Sequence, residues 1–332
     1  MGKAKRAHAV QYRPRGHGAQ RGAPLPILRL LVALLAVLLT PHDSSRAAAQ
    51  ERVRIVTTTT DLRSLTEAVG GENVSVVSLV PPGRDPEEYQ PKPQDVARLR
   101  DARAIVRIGL DFDLWLDRML AQAGTAALRR GGDGYVDVSS YIAVLEVRGA
   151  AVGPGDGHAH GSGNPHYWLD PKNAEMITAS ILEGLARIDP ARTATYEANR
   201  QDFLRRLEAK LPEWEAKVAP LRNEALIAYH NSWAYFARRF RLNFVALIEQ
   251  KPGVPPSPTH LAGLLKKMRE QKVKIIVREP HEPQRDAGYL AQRTGAVVVG
   301  LASSVGALPR ATDYLSLFDS NIDALIEGLR GR

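Results

Sequence analysis

The chain has 332 residues, 44% apolar and 24% charged, a composition that suits two globular domains with sizeable cores. Its net charge of +9 overstates the basicity of the folded part: residues 1–49 hold eight Lys and Arg against Asp43 alone, leaving 37 basic and 35 acidic residues elsewhere. A nucleic-acid partner, which needs a basic face, loses its support, and the complete absence of cysteine excludes disulfides, thiolate ligands, a cysteine nucleophile and a lipid-modified cysteine.

In chain order, residues 1–49 read as a signal peptide. A basic stretch ends near Arg29, residues 28–39 form an apolar run, and Ala47 and Ala49 make an A-x-A cleavage pattern before Gln50. The run is short for a bilayer span; an uncleaved anchor is the other reading. A cleaved leader implies a soluble exported protein, periplasmic in a Gram-negative cell.

Residues 50–190 read as an N-terminal α/β lobe. Predicted strands at 53–59, 74–80 and 104–109 alternate with helices in "LRSLTEAVGG", "PQDVARLRDA" and "FDLWLDRMLAQAG", and "GYVDVSS" supplies a fourth strand. Residues 191–222 are rich in helix formers and read as a long helix joining the lobes, with Pro212 expected to kink or interrupt it. Residues 223–332 form a C-terminal lobe. "ALIAYH", "LNFVALI", "VKIIVRE" and "AVVVGLA" are its strands, and "PTHLAGLLKKMREQ", with Thr259 as the expected cap, is one of its helices. The fold class is therefore α/β, with two parallel-sheet lobes.

Ligands of open parallel sheets bind beyond the carboxyl ends of the strands. That rule selects "PPGRDPEEYQPKP", His230, Glu279 and "ASSVG". Together with "NPHYWLDP", these segments offer Glu87 or Glu88, His166, His230 and Glu279. Two imidazoles with carboxylates suit Zn, Mn or Fe. Pro86, Pro165 and Pro280 flank three of these positions and stiffen them. Asn164 and Asp170 are candidates to orient His166 by hydrogen bonds. His158 and His160 lie in glycine-rich "GPGDGHAHGSG", which cannot pack a core and at most gathers ions. His260 and His281 read as surface residues, His281 being the nearer to the candidate site. A zinc-dependent hydrolase is the enzymatic alternative, but there is no H-E-x-x-H and no separate general base stands out.

The segments "NPHYWLDP", "VSLVPPGRDPEEYQPKPQDVARL", "ARAIVRIGLDFDLWLDRML", "YHNSWAYFARRF" and "KIIVREP" resemble the periplasmic zinc/manganese-binding proteins of ABC importers, cluster A-I of the solute-binding proteins. The resemblance covers about residues 52–329. It implies two α/β lobes joined by a long rigid helix, a metal in the interlobe cleft, an inner-membrane ABC permease as partner, a monomer and no enzymatic activity. His166 and His230 match family ligands. Glu87 stands where the family usually has histidine, and Ser303 where manganese and iron members have aspartate. Glu279 is inferred to fill that gap. The expected cargo is a divalent transition metal, Zn favoured over Mn or Fe. A member whose diverged site binds another ligand is the alternative within this fold.

Overall fold

A computed structural model describes residues 51–146, 162–251 and 253–331. The expected leader, and the glycine-rich tract with His158 and His160, lie outside the described residues.

The first lobe opens with β1 (Val53–Thr57), α1 (Thr60–Gly70), β2 (Val74–Ser78), α2 (Pro93–Asp101), β3 (Ala104–Arg107), α3 (Trp115–Ala123) and β4 (Tyr135–Asp137). Its sheet has the order β2-β1-β3-β4 and is parallel throughout, with Val53 opposite Val74, Ile55 opposite Ala104 and Ile105 opposite Tyr135. Ile55, Val56, Ala104, Ile105 and Val106 are buried, as β-branched runs covered on both faces should be. Two helices follow, α4 (Ala174–Ile188) and α5 (Thr193–Val218).

The second lobe repeats the plan. It contains β5 (Ala225–Ala228), α6 (Ala234–Phe240), β6 (Asn243–Leu247), α7 (Pro258–Glu270), β7 (Ile275–Arg278), α8 (Gln284–Thr294), β8 (Val297–Gly300) and α9 (Tyr314–Arg330). Its parallel sheet runs β6-β5-β7-β8. In both sheets the chain steps to one side of the first strand and then returns to the other, so each has a switch point beside that strand.

The joining helix α5 runs 26 residues without interruption. Pro212 does not end it. Pro212 and Glu208 are both exposed, so the carbonyl that loses its amide partner faces water. Tyr196, Phe203, Leu207, Trp214 and Val218 form its buried stripe. Trp214 packs on Phe318 of α9 with ring centroids 5.2 Å apart and donates to Asp319 at 2.8 Å, while Asn199 donates to Val69 O of α1 at 3.0 Å. The helix thus packs on both lobes, and the largest buried apolar cluster runs from Ile55 through Phe203 to Phe318.

Polar contacts join the lobes further. Thr60 Oγ1 donates to Val305 O at 2.7 Å, the Val305 amide donates to Asp61 at 3.0 Å, and Trp168 Nε1 donates to Ser303 O at 2.8 Å. A shared core and buried interlobe hydrogen bonds favour modest rather than wide opening of the cleft.

Two local expectations are corrected. Ser257, not Thr259, caps α7: its Oγ accepts from the His260 amide at 3.2 Å, and Pro258 fills the first helical position, where no amide hydrogen is needed. Asp170 does not reach His166. Its carboxylate takes Arg239 Nε at 2.7 Å and the Lys172 amide at 3.0 Å, which ties the "NPHYWLDP" segment to α6.

Candidate metal centre

Glu87 sits in the segment that leaves β2. Asp85 Oδ1 accepts from the Glu87 amide at 2.8 Å, and Trp115 Nε1 donates to Pro86 O at 3.0 Å, so the turn is pinned on both sides. His166 is buried. Asn164 Oδ1 accepts from its backbone amide at 3.0 Å and lies 3.1 Å from its Nδ1. Asn164 Nδ2 is committed to Asn231 O at 2.9 Å, so Oδ1 is the acceptor and His166 Nδ1 carries the proton. The lone pair is then on Nε2, which faces Glu87 Oε1 at 3.2 Å.

His230 lies two residues beyond β5 and faces the same carboxylate: its Nε2 lies 3.7 Å from Glu87 Oε1. Its Nδ1 is 2.7 Å from Glu249 Oε2. A carboxylate can only accept, so Nδ1 donates and Nε2 again points at Glu87. Glu249 Oε1 accepts from the Gly253 amide at 2.5 Å, which holds the carboxylate in place. Glu249 was missed in the sequence although the same strand-end rule reaches it, two residues beyond β6.

One donor atom from each of Glu87, His166 and His230 lies within 4.8 Å of the others. Tetrahedral zinc with bonds near 2.0–2.2 Å separates its donors by roughly 3.3–3.6 Å. The two measured contacts of Glu87 fit an ion placed among the three side chains with small adjustments.

Electrostatics divide the two imidazoles. Burial lowers the pKa of His166 and outweighs Glu87, which raises it. His230 is also buried, but hydrogen bonds to Glu249 and Glu87 win and hold its pKa well above the usual value. Without metal, burial therefore favours the neutral form of His166, and the two carboxylates favour the protonated form of His230.

The ring of His166 is placed by Phe112, edge-on at 5.5 Å, and by Trp168 at 5.3 Å. Phe112 follows a left-handed run, Gly109, Leu110 and Asp111, with φ of 74°, 49° and 62°. A Cβ on Gly109 would lie 2.4 Å from Asp137 Oδ1, so only glycine fits there. Asp113 holds this run: its carboxylate accepts from the Ile108 amide at 2.9 Å and from Arg107 Nη2 at 2.7 Å, both side chains being buried.

Glu279 lies beyond β7 and lines the same cavity, but it stands outside the three-residue cluster. The Ser232 hydroxyl donates to its Oε1, and its backbone amide donates to Glu282 Oε2 at 2.5 Å, which fixes the carboxylate within the turn after β7. Burial, with Glu279 beside it, pushes Glu282 up to about 9. Glu88 and Ser303 line the cavity too, whereas His260 is engaged elsewhere, with Nε2 3.0 Å from Leu247 O. The cavity has a volume of about 270 Å³.

Comparison with known proteins places this geometry in a lineage. The family described as "Zinc-uptake complex component A periplasmic" matches residues 55–328. A Treponema pallidum protein named for metal binding is 31% identical over 271 residues, covering 80% of this chain and 84% of that one. The iron-binding protein YfeA of Yersinia pestis is 24% identical over 322 residues, covering 91% and 97%. A crystal structure of ZnuA superposes with a TM-score of 0.70 at 28% identity, covering 83% of this chain and 99% of the other. A match across nearly all of the two lobes settles membership: the chain belongs to the family of periplasmic zinc-uptake component A proteins.

Proposed function

We propose that this protein captures a divalent transition metal in the periplasm and hands it to an inner-membrane ABC permease. The observation that carries the reading is the convergence of His166 Nε2 and His230 Nε2 on Glu87 Oε1, each imidazole held by a hydrogen bond on its far nitrogen. Relatives named for zinc, manganese and iron, including a manganese ABC transporter lipoprotein of Streptococcus anginosus, support the transport role. We favour Zn over Mn or Fe, because two imidazoles bind it more strongly than either. Glu87, His166 and His230 are the ligands we assign. Glu279, expected as the fourth, is oriented by Ser232 and left out of this set. One chain supplies all three donors, so a monomer suffices. Residues 1–49 are the proposed cleavable leader, and residues 50–190, 191–222 and 223–332 the proposed lobe, joining helix and second lobe. The described residues include no helix long and apolar enough to cross a membrane. The family consists of solute-binding proteins, and we assign no catalytic residue. Equilibrium dialysis with elemental analysis tests the reading: at least one tightly held transition-metal ion per chain is expected, and a chain that retains none overturns it.

The His230 proton sets the pH dependence. The metal must displace that proton, so affinity should rise by about tenfold per pH unit from neutrality up to the raised pKa of His230. His166, already neutral, adds nothing in that window. For the metal-free fold the sign is opposite: the stability contributed by protonated His230 is full below its unfolded value near 6.5 and is lost as pH rises through the folded one. Glu249→Gln should flatten the binding profile and weaken affinity about 10–100-fold. Chelator competition at several pH values reads both effects, and a steep profile unchanged in Glu249→Gln would remove Glu249 from the account.

A further inference from the structure

The side-chain amide of Asn164 has all of its hydrogen-bonding positions filled, and both lobes supply the partners. Its Oδ1 accepts from the His166 backbone amide at 3.0 Å and lies 3.1 Å from His166 Nδ1. Its Nδ2 donates to Asn231 O at 2.9 Å and to Glu146 Oε2 at 3.2 Å. An asparagine amide offers two lone pairs and two hydrogens, so nothing is left over. Asn164 is buried, and a partner lost there leaves a polar atom unpaired at a cost.

Glu146 reaches further than Asn164. Its Oε2 also accepts from Asn231 Nδ2 at 2.8 Å. Asn231 follows His230 in the second lobe, and Asn164 lies two residues before His166 in the first, so one carboxylate oxygen holds the neighbours of both histidines. The backbone beside Glu146 is fixed across the lobes as well. The buried Tyr235 hydroxyl of α6 accepts from the Leu145 amide at 2.9 Å and donates to Asn164 O at 2.8 Å, while the Asn164 amide donates to Leu145 O at 2.8 Å. Glu146 itself sits at φ 56°, a left-handed conformation that costs a non-glycine residue energy. Strain of this kind gathers at binding sites, where the surrounding bonds hold it.

We propose that Glu146 is a positioning residue for the metal centre: through Asn164 and Asn231 it fixes His166 of the first lobe relative to His230 of the second. The two imidazoles, with centroids 5.5 Å apart, must present their Nε2 atoms to one ion, and the bridge sets that separation before the ion arrives. Less ordering is then left for the ion to impose. Opening the cleft breaks the bonds to Asn231 and frees the Asn164 amide, and with it the His166 ring, so release of the ion and opening of the lobes are coupled. The inference rests on the assignment of His166 and His230 as ligands.

Three variants of the full chain test it. Glu146→Ala should weaken zinc affinity about tenfold, the low end for loss of a group that orients metal ligands, and should speed zinc release by a similar factor. Glu146→Gln keeps an oxygen for both amides and should stay within about twofold of the parent. Asn231→Ala keeps the Glu146 charge but removes one of its two bonds, and should shift affinity in the same direction as Glu146→Ala. Chelator competition reads affinity, and rapid mixing with excess chelator reads release. Glu146 is exposed, so the metal-free variants should keep the parent's thermal transition. A merely structural role would leave the His166 ring untouched. Nitrogen NMR of the metal-free protein should show a single sharp Nδ1-protonated form in the parent and in Glu146→Gln, and a broadened signal in Glu146→Ala. Parent-like affinity or a sharp His166 signal in Glu146→Ala overturns the proposal. So does a Glu146→Gln variant as weak as Glu146→Ala, because charge rather than the bridge would then be at work. The metal reading fails separately: a parent that holds no zinc removes the ligand assignment, and the His166 signal still decides the bridge.

Discussion

The double substitution His166→Ala, His230→Ala is expected to abolish tight metal binding, with affinity falling by well over about 100-fold, beyond what loss of an orienting partner costs. Both Nε2 lone pairs disappear, leaving Glu87 as the single remaining donor of the cluster. Only the pocket wall is lost: His166 is packed by Phe112 and Trp168, and His230 sits at the cleft end of β5. The metal-free variant should therefore still fold. The clearest readout is thermal. A parent protein with metal at about 100 times its Kd gains about 2.7 kcal/mol from binding, and the variant should gain nothing from the same addition. A variant whose melting temperature still rises with zinc, by as much as the parent's, would sink the assignment of these histidines.

Asp113→Ala is expected to be the most destabilising single substitution away from the site, at about 3–5 kcal/mol. Arg107 sits on β3 with its side chain 4% exposed, and Asp113 is 1% exposed. The carboxylate accepts from Arg107 Nε at 2.9 Å and Nη2 at 2.7 Å, and from the amides of Ile108 and Gly109. Without it the guanidinium keeps Asp117 and the Tyr135 hydroxyl on one nitrogen, while its other two nitrogens lose their carboxylate inside the lobe. The same change releases the left-handed run 109–111, whose two non-glycine residues each carry strain on the order of 1–3 kcal/mol. Phe112 would then lose its fixed edge against His166, and metal affinity should fall along with stability. Urea unfolding of the metal-free protein measures the first effect and chelator competition the second. A loss of stability below about 1 kcal/mol would show that the pair's desolvation is not what the buried geometry implies.

The site was partly legible from the chain because position along strands carries information. His230 closely follows a strand, Glu87 lies in a proline-rich segment after another, and His166 sits between Pro165 and an aromatic pair. Strand ends in parallel sheets converge on one side, so residue types placed there meet. Asn164 was legible for the same local reason, since its side chain reaches only two residues along the chain. Asp170 was not. Its partner, Arg239, is 69 residues away in the other lobe, and a guanidinium outcompetes a neutral imidazole for a carboxylate. Glu279 shows the same limit on a smaller scale: its place in the cavity follows from β7, but the direction of its oxygens depends on Ser232, 47 residues earlier.

By itself the sequence determined the alternation of strand and helix, the joining helix, the export-type leader as an expectation, and the stock of donors: imidazole and carboxylate, never thiolate. These follow from periodicity and composition, which are local or additive. Only the tertiary structure decided which of these donors converge. That choice rests on atoms a few ångströms apart, on which nitrogen of each histidine is held by Asn164 or Glu249, and on which carboxylate oxygen the Ser232 hydroxyl claims. Metal coordination falls off over less than an ångström, whereas sequence patterns place a side chain only to within a strand end, so the Glu87–His166–His230 cluster emerges only once both sheets are folded against each other.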